Sequence, residues 1–198
     1  MFPFLTIFMI FIVVLTICLK TSSQKEKQQQ EAFWDRENRA NTTRKKDLSI
    51  LSYVEIPPEL LDLPCNSDQE LRQSMDELAQ LAGKKIVNLN HYTNTDLKLK
   101  YGAANLPLLM EYDENYTCLI CALIKISHAL MEQSRSAEAI PYLEFGVSCK
   151  SDITENYVLL AGLYRELHRD ADLAQLYEKI RVLPSSNRES ILKAVESC

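Results

Sequence analysis

Eight positions in the C-terminal half recur at one fixed interval, and that interval narrows the possible folds more than anything else in the chain. Leu123, Ile126, Ser127, Leu130, Ala139, Ile140, Leu143 and Gly146 return 34 residues later as Tyr157, Leu160, Ala161, Tyr164, Leu173, Ala174, Tyr177 and Ile180. Each position is apolar or small in both copies. A period of this length belongs to helix–turn–helix units, each unable to bury its own apolar face and therefore stacked on the next. The expected fold is all-α, with antiparallel helical hairpins stacked as a short solenoid. Such arrays more often hold partners than perform chemistry.

Local signals place the helices. Apolar spacing predicts one helix from Asp113 to Gln133 and a second from Ala137 to Cys149. Asp152 and Glu155 read as a capping box for a third, Tyr157 to His168. A fourth runs through Leu173, Leu176, Tyr177 and Ile180 until Pro184 ends it. Ser186 and Glu189 open a short last helix that caps the array. Upstream, Ser67 and Glu70 form another capping box, Leu71, Met75, Leu78 and Leu81 make one apolar face, and Gly83 is the stop. Residues 48–63 read as an extended piece followed by a turn of helix before Pro64. Residues 85–112 carry many apolar side chains among Asn, Thr and Gly, and read as a short strand or irregular segment packed against the helices.

The repeated positions resemble the tetratricopeptide repeat family. Its first helix has a bulky residue, then Leu and a small residue three and four places on, then Tyr; Tyr157, Leu160, Ala161 and Tyr164 follow that order. Tyr177 stands at the large position of the second helix and Pro184 near the terminal Pro. Ser127 and Gly146 occupy small-residue places of the first copy. Leu173 and Ile180 depart from the pattern, and Pro184 comes one place early. The resemblance covers roughly 120–185 and implies a concave groove lined by the first helices. Cys121, Ile124, His128 and Met131 would face it from the first copy, and Glu155, Val158, Gly162 and Arg165 from the second. Some family members grip a peptide carboxylate with Lys and Asn on this face. Ile124 and His128 stand there instead, so an apolar peptide or helix is the expected partner.

The N-terminus sets the location. Residues 1–19 carry no charged side chain and would make a helix of roughly 28 Å, close to the hydrocarbon thickness of a bilayer. No basic residue precedes the apolar run, which favours an uncleaved single-pass anchor in the cell membrane over a signal peptide. Lys20, Lys25 and Lys27 follow it at once, so the positive-inside rule puts the body in the cytoplasm. Residues 20–47 read as a polar, basic stalk that could also hold anionic lipid headgroups. Residues 20–46 hold eight Lys/Arg against four acids, whereas 47–198 hold fourteen against twenty-three. An acidic body argues against nucleic acid as a ligand. The expected segments are thus 1–19, 20–47, 48–112 and 113–198.

Catalytic signals are weak. Cys118 and Cys121 have the spacing of a redox pair, but such pairs sit at a helix N-terminus in a βαβ setting, and core thiols are the plainer reading. The six cysteines make no compact disulfide framework and no four-Cys zinc site. His91, His128 and His168 have no metal spacing, and four glycines make no phosphate loop. The expectation is a membrane-tethered adaptor with no enzymatic activity and no cofactor. The alternatives are an extracytoplasmic cell-envelope assembly factor of the same fold and a thiol-redox enzyme using Cys118 and Cys121.

Overall fold

The computed structural model describes residues 2–64 and 68–198. Eight α-helices and two short 3-10 turns account for the regular structure, and there is no strand among the described residues. The helices are α1 (Phe2–Asn41), α2 (Gln69–Leu81), α3 (Asn94–Tyr101), α4 (Leu106–Glu132), α5 (Ser136–Ser148), α6 (Thr154–Glu166), α7 (Asp170–Arg181) and α8 (Arg188–Glu196). They fall into two compact units, Met1–Lys46 with Asn94–Leu106, and Asp47–Thr93 with Pro107–Cys198.

In the first unit the apolar run and the stalk are one unbroken helix. Its apolar part is long and hydrophobic enough to cross a membrane and is exposed throughout. The stalk is not solvated to its end. Arg36 Nη2 lies 2.6 Å from Asp96 Oδ1, Glu37 accepts from the Thr95 hydroxyl, and Lys98 Nζ reaches both Glu37 (3.2 Å) and Asn41 (2.8 Å). Hydrogen bonding from Thr95, then from Lys98, holds the Glu37 carboxyl below the usual range. Main-chain bonds continue the seam: Lys46 N–H donates to Tyr101 O (3.0 Å) and Ala103 N–H to Thr43 O (3.2 Å). Gly102, with φ 95°, lets the chains meet, since a Cβ there would lie 2.3 Å from Arg44 O. The first unit thus ends at Lys46 and takes in Asn94–Leu106.

The second unit has one continuous core. Leu71, Leu78, Leu119, Leu123, Leu130 and Leu143 are fully buried in it, each adding about 2 kcal/mol of transfer free energy. Asp68 caps α2, accepting from Glu70 N–H (2.8 Å) and Leu71 N–H (3.2 Å). The expected cap, Ser67, lies outside the described residues. Val54 N–H donates to Ile86 O (2.9 Å), tying the extended piece to the segment after α2. The reading of 85–112 as irregular is corrected: α3 and the first two turns of α4 lie within it. Pro107 does not prevent this, because a first-turn N–H has no helical partner to lose.

The 34-residue interval is written into the backbone. Helices α4 and α6 end at 132 and 166, and α5 and α7 begin at 136 and 170. Between them Ser134 and His168 take left-handed φ values of 58° and 54°. Arg135 N–H bonds to Leu130 O and Arg169 N–H to Tyr164 O, both at 2.8 Å, closing the same C-terminal cap twice. Arg135 Nε then meets Glu138 Oε1 (2.8 Å), and Arg169 Nε meets Asp172 Oδ2 (2.6 Å), one interval apart. Helix α8 starts 34 residues after α6. Helix α5 packs on α6, α6 on α7 and α8, and α7 on α8.

Two expected capping boxes do not form. Ile153 stands at the N-cap of α6, and Asn187 at that of α8, neither with a side-chain cap. Asp152 instead accepts from Asn90 Nδ2 (2.8 Å), and Glu155 turns to His128. Both acids serve the tertiary structure.

Candidate partner-binding site

Helix α4 carries an exposed strip of Thr117, Cys118, Cys121, Lys125 and His128 on the side away from its buried arc. Two hollows flank this strip and share Thr117. One, of about 270 Å³, is lined from α2 by Glu77, Gln80 and Leu81, by Lys84 just beyond, and from α4 by Cys118, Cys121 and Lys125. The other, of about 310 Å³, is lined by Asn90, Tyr116, Ile120, Asp152 and Ile153. Together they make a valley running from α2, over α4, to the start of α6.

Polar contacts tie the exposed strip of α4 to its neighbours. Lys125 Nζ lies 3.2 Å from Glu77 Oε2, and His128 Nε2 lies 2.8 Å from Glu155 Oε1. All four side chains are well exposed, so these pairs add little stability. Below them, Tyr116 donates its hydroxyl to Cys149 O (3.1 Å) and accepts from Asn88 Nδ2 (3.0 Å). Tyr157 donates to Ser151 O (2.5 Å). Burial pushes both phenols well above their ordinary range, so they stay neutral donors. It also pushes the Cys149 thiol up to about 11. Asp113 accepts from Leu89 N–H at 2.9 Å, yet burial, helped by the charge of Asp152, raises its carboxyl above the usual aspartate value.

The residues expected to line a groove separate into two groups. Cys121 is exposed and lines one hollow, and His128 and Glu155, both exposed, touch each other. The others are corrected. Ile124 is only 8% exposed and belongs to the core, because the buried arc of α4 is wider than a two-helix pattern requires. Met131 is partly buried against the same core. Val158, Gly162 and Arg165 lie under the C-terminal end of the chain. The Cys198 thiol is 3.8 Å from Val158 O, and a Cβ on Gly162 would meet that sulfur at 3.9 Å. Arg165 Nη2 donates to Val195 O (2.8 Å) and Tyr177 Oη (3.1 Å). A helix read as an end cap therefore also covers half of the expected groove.

Sequence reasoning missed Thr117, Lys84, Lys125 and Asp152, which need the neighbouring α2 and the 88–93 segment to become a surface. The polar side of α2 was the available signal. Cys118 and Cys121 are exposed, not core thiols. Among the described residues no group of three or more His, Cys, Asp and Glu could hold a metal ion. Comparison with protein-family models, with curated proteins and with solved structures gave no match.

Proposed function

We propose that this chain is a membrane-tethered adaptor, a tetratricopeptide-like helical array that holds a polypeptide partner in the valley over α4. The observation that carries this reading is the pair of hollows sharing Thr117 on an array whose caps recur every 34 residues. A helical or extended segment laid along α4 would meet Thr117, Cys121 and His128 below and Glu155 at one side. The apolar helix at the N-terminus would hold the body at the membrane and raise its effective concentration for partners there. Lys20, Lys25 and Lys27 support a cytoplasmic body and contact with anionic headgroups.

The test is a photo-crosslinking residue placed at Thr117 and, separately, at Lys179 on α7, in cells making the full chain. Thr117 is expected to give discrete protein adducts that are absent from Lys179. Equal adduct patterns at both positions would remove the valley as the docking surface.

A further inference from the structure

The thiols of Cys118 and Cys121 are placed together and exposed in a way that of Cys149 is not. Cys149 is buried, with its sulfur 4.0 Å from Ser148 Oγ and its thiol pushed up to about 11. Cys118 and Cys121 stand on the open strip of α4 and line one hollow. Residues three apart in an α-helix share a face, and rise and radius put their Cα atoms roughly 5 Å apart. That separation lies inside the Cα range a disulfide spans, about 4.4–6.8 Å, but the Cβ atoms, about 5–6 Å apart, must close to about 3.5–4.5 Å, so joining the sulfurs requires a local give in α4. The hollow above them, about 270 Å³, approaches the size of small-ligand pockets, roughly 300 Å³ and upward. Leu81 supplies an apolar wall, Lys84 an ammonium group, and Lys125 a second one that is paired with Glu77.

We propose that Cys118 and Cys121 form a dithiol–disulfide exchange site for low-molecular-weight disulfides carrying negative charge. One cysteine, deprotonated, attacks a sulfur of the small disulfide. That S–S bond breaks, a mixed disulfide forms, and the departing thiolate takes up the proton the cysteine gave. The second cysteine loses its proton and attacks the cysteine sulfur of the mixed disulfide. The second small thiolate leaves and is protonated in turn. Two protein thiols are oxidised to one disulfide, and the small disulfide is reduced to two thiols. Lys84 and Lys125 against the single carboxylate of Glu77 leave the lining net positive, which favours an anionic partner over a neutral one. The site stands whether or not the valley holds a polypeptide.

The test uses the full chain in detergent, fully reduced, treated with oxidised glutathione, quenched with acid, alkylated and cut with trypsin. The tryptic peptide 101–125 contains Cys118, Cys121 and no other cysteine. In the wild type it is expected to lose the mass of two hydrogen atoms and to resist alkylation. In Cys121→Ser the mixed disulfide cannot be resolved, so glutathione stays on Cys118; Cys118→Ser traps it on Cys121. Unchanged helicity by circular dichroism keeps a folding defect out of the comparison. Lys84→Gln should slow the reaction with oxidised glutathione several-fold while leaving that with uncharged hydroxyethyl disulfide unchanged. A peptide that stays a dithiol while Cys198 is modified overturns the proposal, as does a wild-type peptide retaining two glutathiones. Equal rates for Lys84→Gln and wild type with both disulfides overturn the anionic preference.

Discussion

Gly146 and Asn156 show how far one residue can be constrained by another ten places away. Asn156 is fully buried, donates from Nδ2 to Leu143 O (3.1 Å), and leaves Oδ1 without a hydrogen-bond partner. A Cβ on Gly146 would sit 2.4 Å from that oxygen. Alanine gains about 1 kcal/mol of helix propensity over glycine, and overpacking a filled site costs about 1–3 kcal/mol. Gly146→Ala should therefore lower the melting temperature followed by circular dichroism. In an Asn156→Ala background the same change should raise it, and a double-mutant cycle would read the coupling. Asp113 gives the second residue-scale prediction. Its folded carboxyl titrates above the unfolded value, so the native state holds the proton more tightly, and this group's contribution falls as pH rises through that window. Asp113→Asn keeps an acceptor for Leu89 N–H and removes the buried charge. It should raise the melting temperature at neutral pH, with a gain that fades as pH falls toward the ordinary aspartate value, about 3.9.

At the scale of helices, chain spacing was a better guide than terminators. The interval of 34 was legible from Leu123/Tyr157 and Ser127/Ala161, because buried contact positions must repeat when the backbone does. The ends were less legible. Gly83 was the evident stop signal, yet it does not take the left-handed conformation. The left-handed caps fall on Ser134, Lys150 and His168, residues with no such preference. The capping box at Asp152 was misread because a tertiary partner competes for its side chain, and that at Ser186 because α8 starts one residue later, with Asn187 at its N-cap. The start of α4 was missed because Gly102 and Pro107 look like breakers, although one serves a close chain approach and the other fits a first turn. The candidate site was only half readable, since α2 and α8 decide which faces of α4 and α6 stay open. The non-glycine caps yield a prediction of their own. His168→Gly relieves a left-handed side-chain clash worth about 1 kcal/mol, and the Arg169 N–H bond to Tyr164 O stays in place. Its urea midpoint should rise with an unchanged slope, and Ser134→Gly, one interval earlier, should match it.

For the molecule as a whole, the distribution of charge along the chain matters more than the net −5. The apolar end of α1 is followed at once by Lys20, Lys25 and Lys27. Lys and Arg near a span stay on the cytoplasmic side, so the second unit should face the cytoplasm. The cysteines make this measurable, since Cys118, Cys121 and Cys198 are exposed and Cys149 is buried. A membrane-impermeant maleimide added to intact cells making the full chain should leave Cys118, Cys121 and Cys198 unlabelled. Permeabilising the membrane should label them and spare Cys149, which acts as an internal check that the unit remains folded. Labelling before permeabilisation would place the valley outside the cell and turn the adaptor reading toward envelope assembly. It would also put Cys118 and Cys121 in a more oxidising compartment, where an exposed pair one helical turn apart would be found largely joined. The same peptide, 101–125, reports both outcomes, because only free thiols take the maleimide and only a closed pair loses hydrogen.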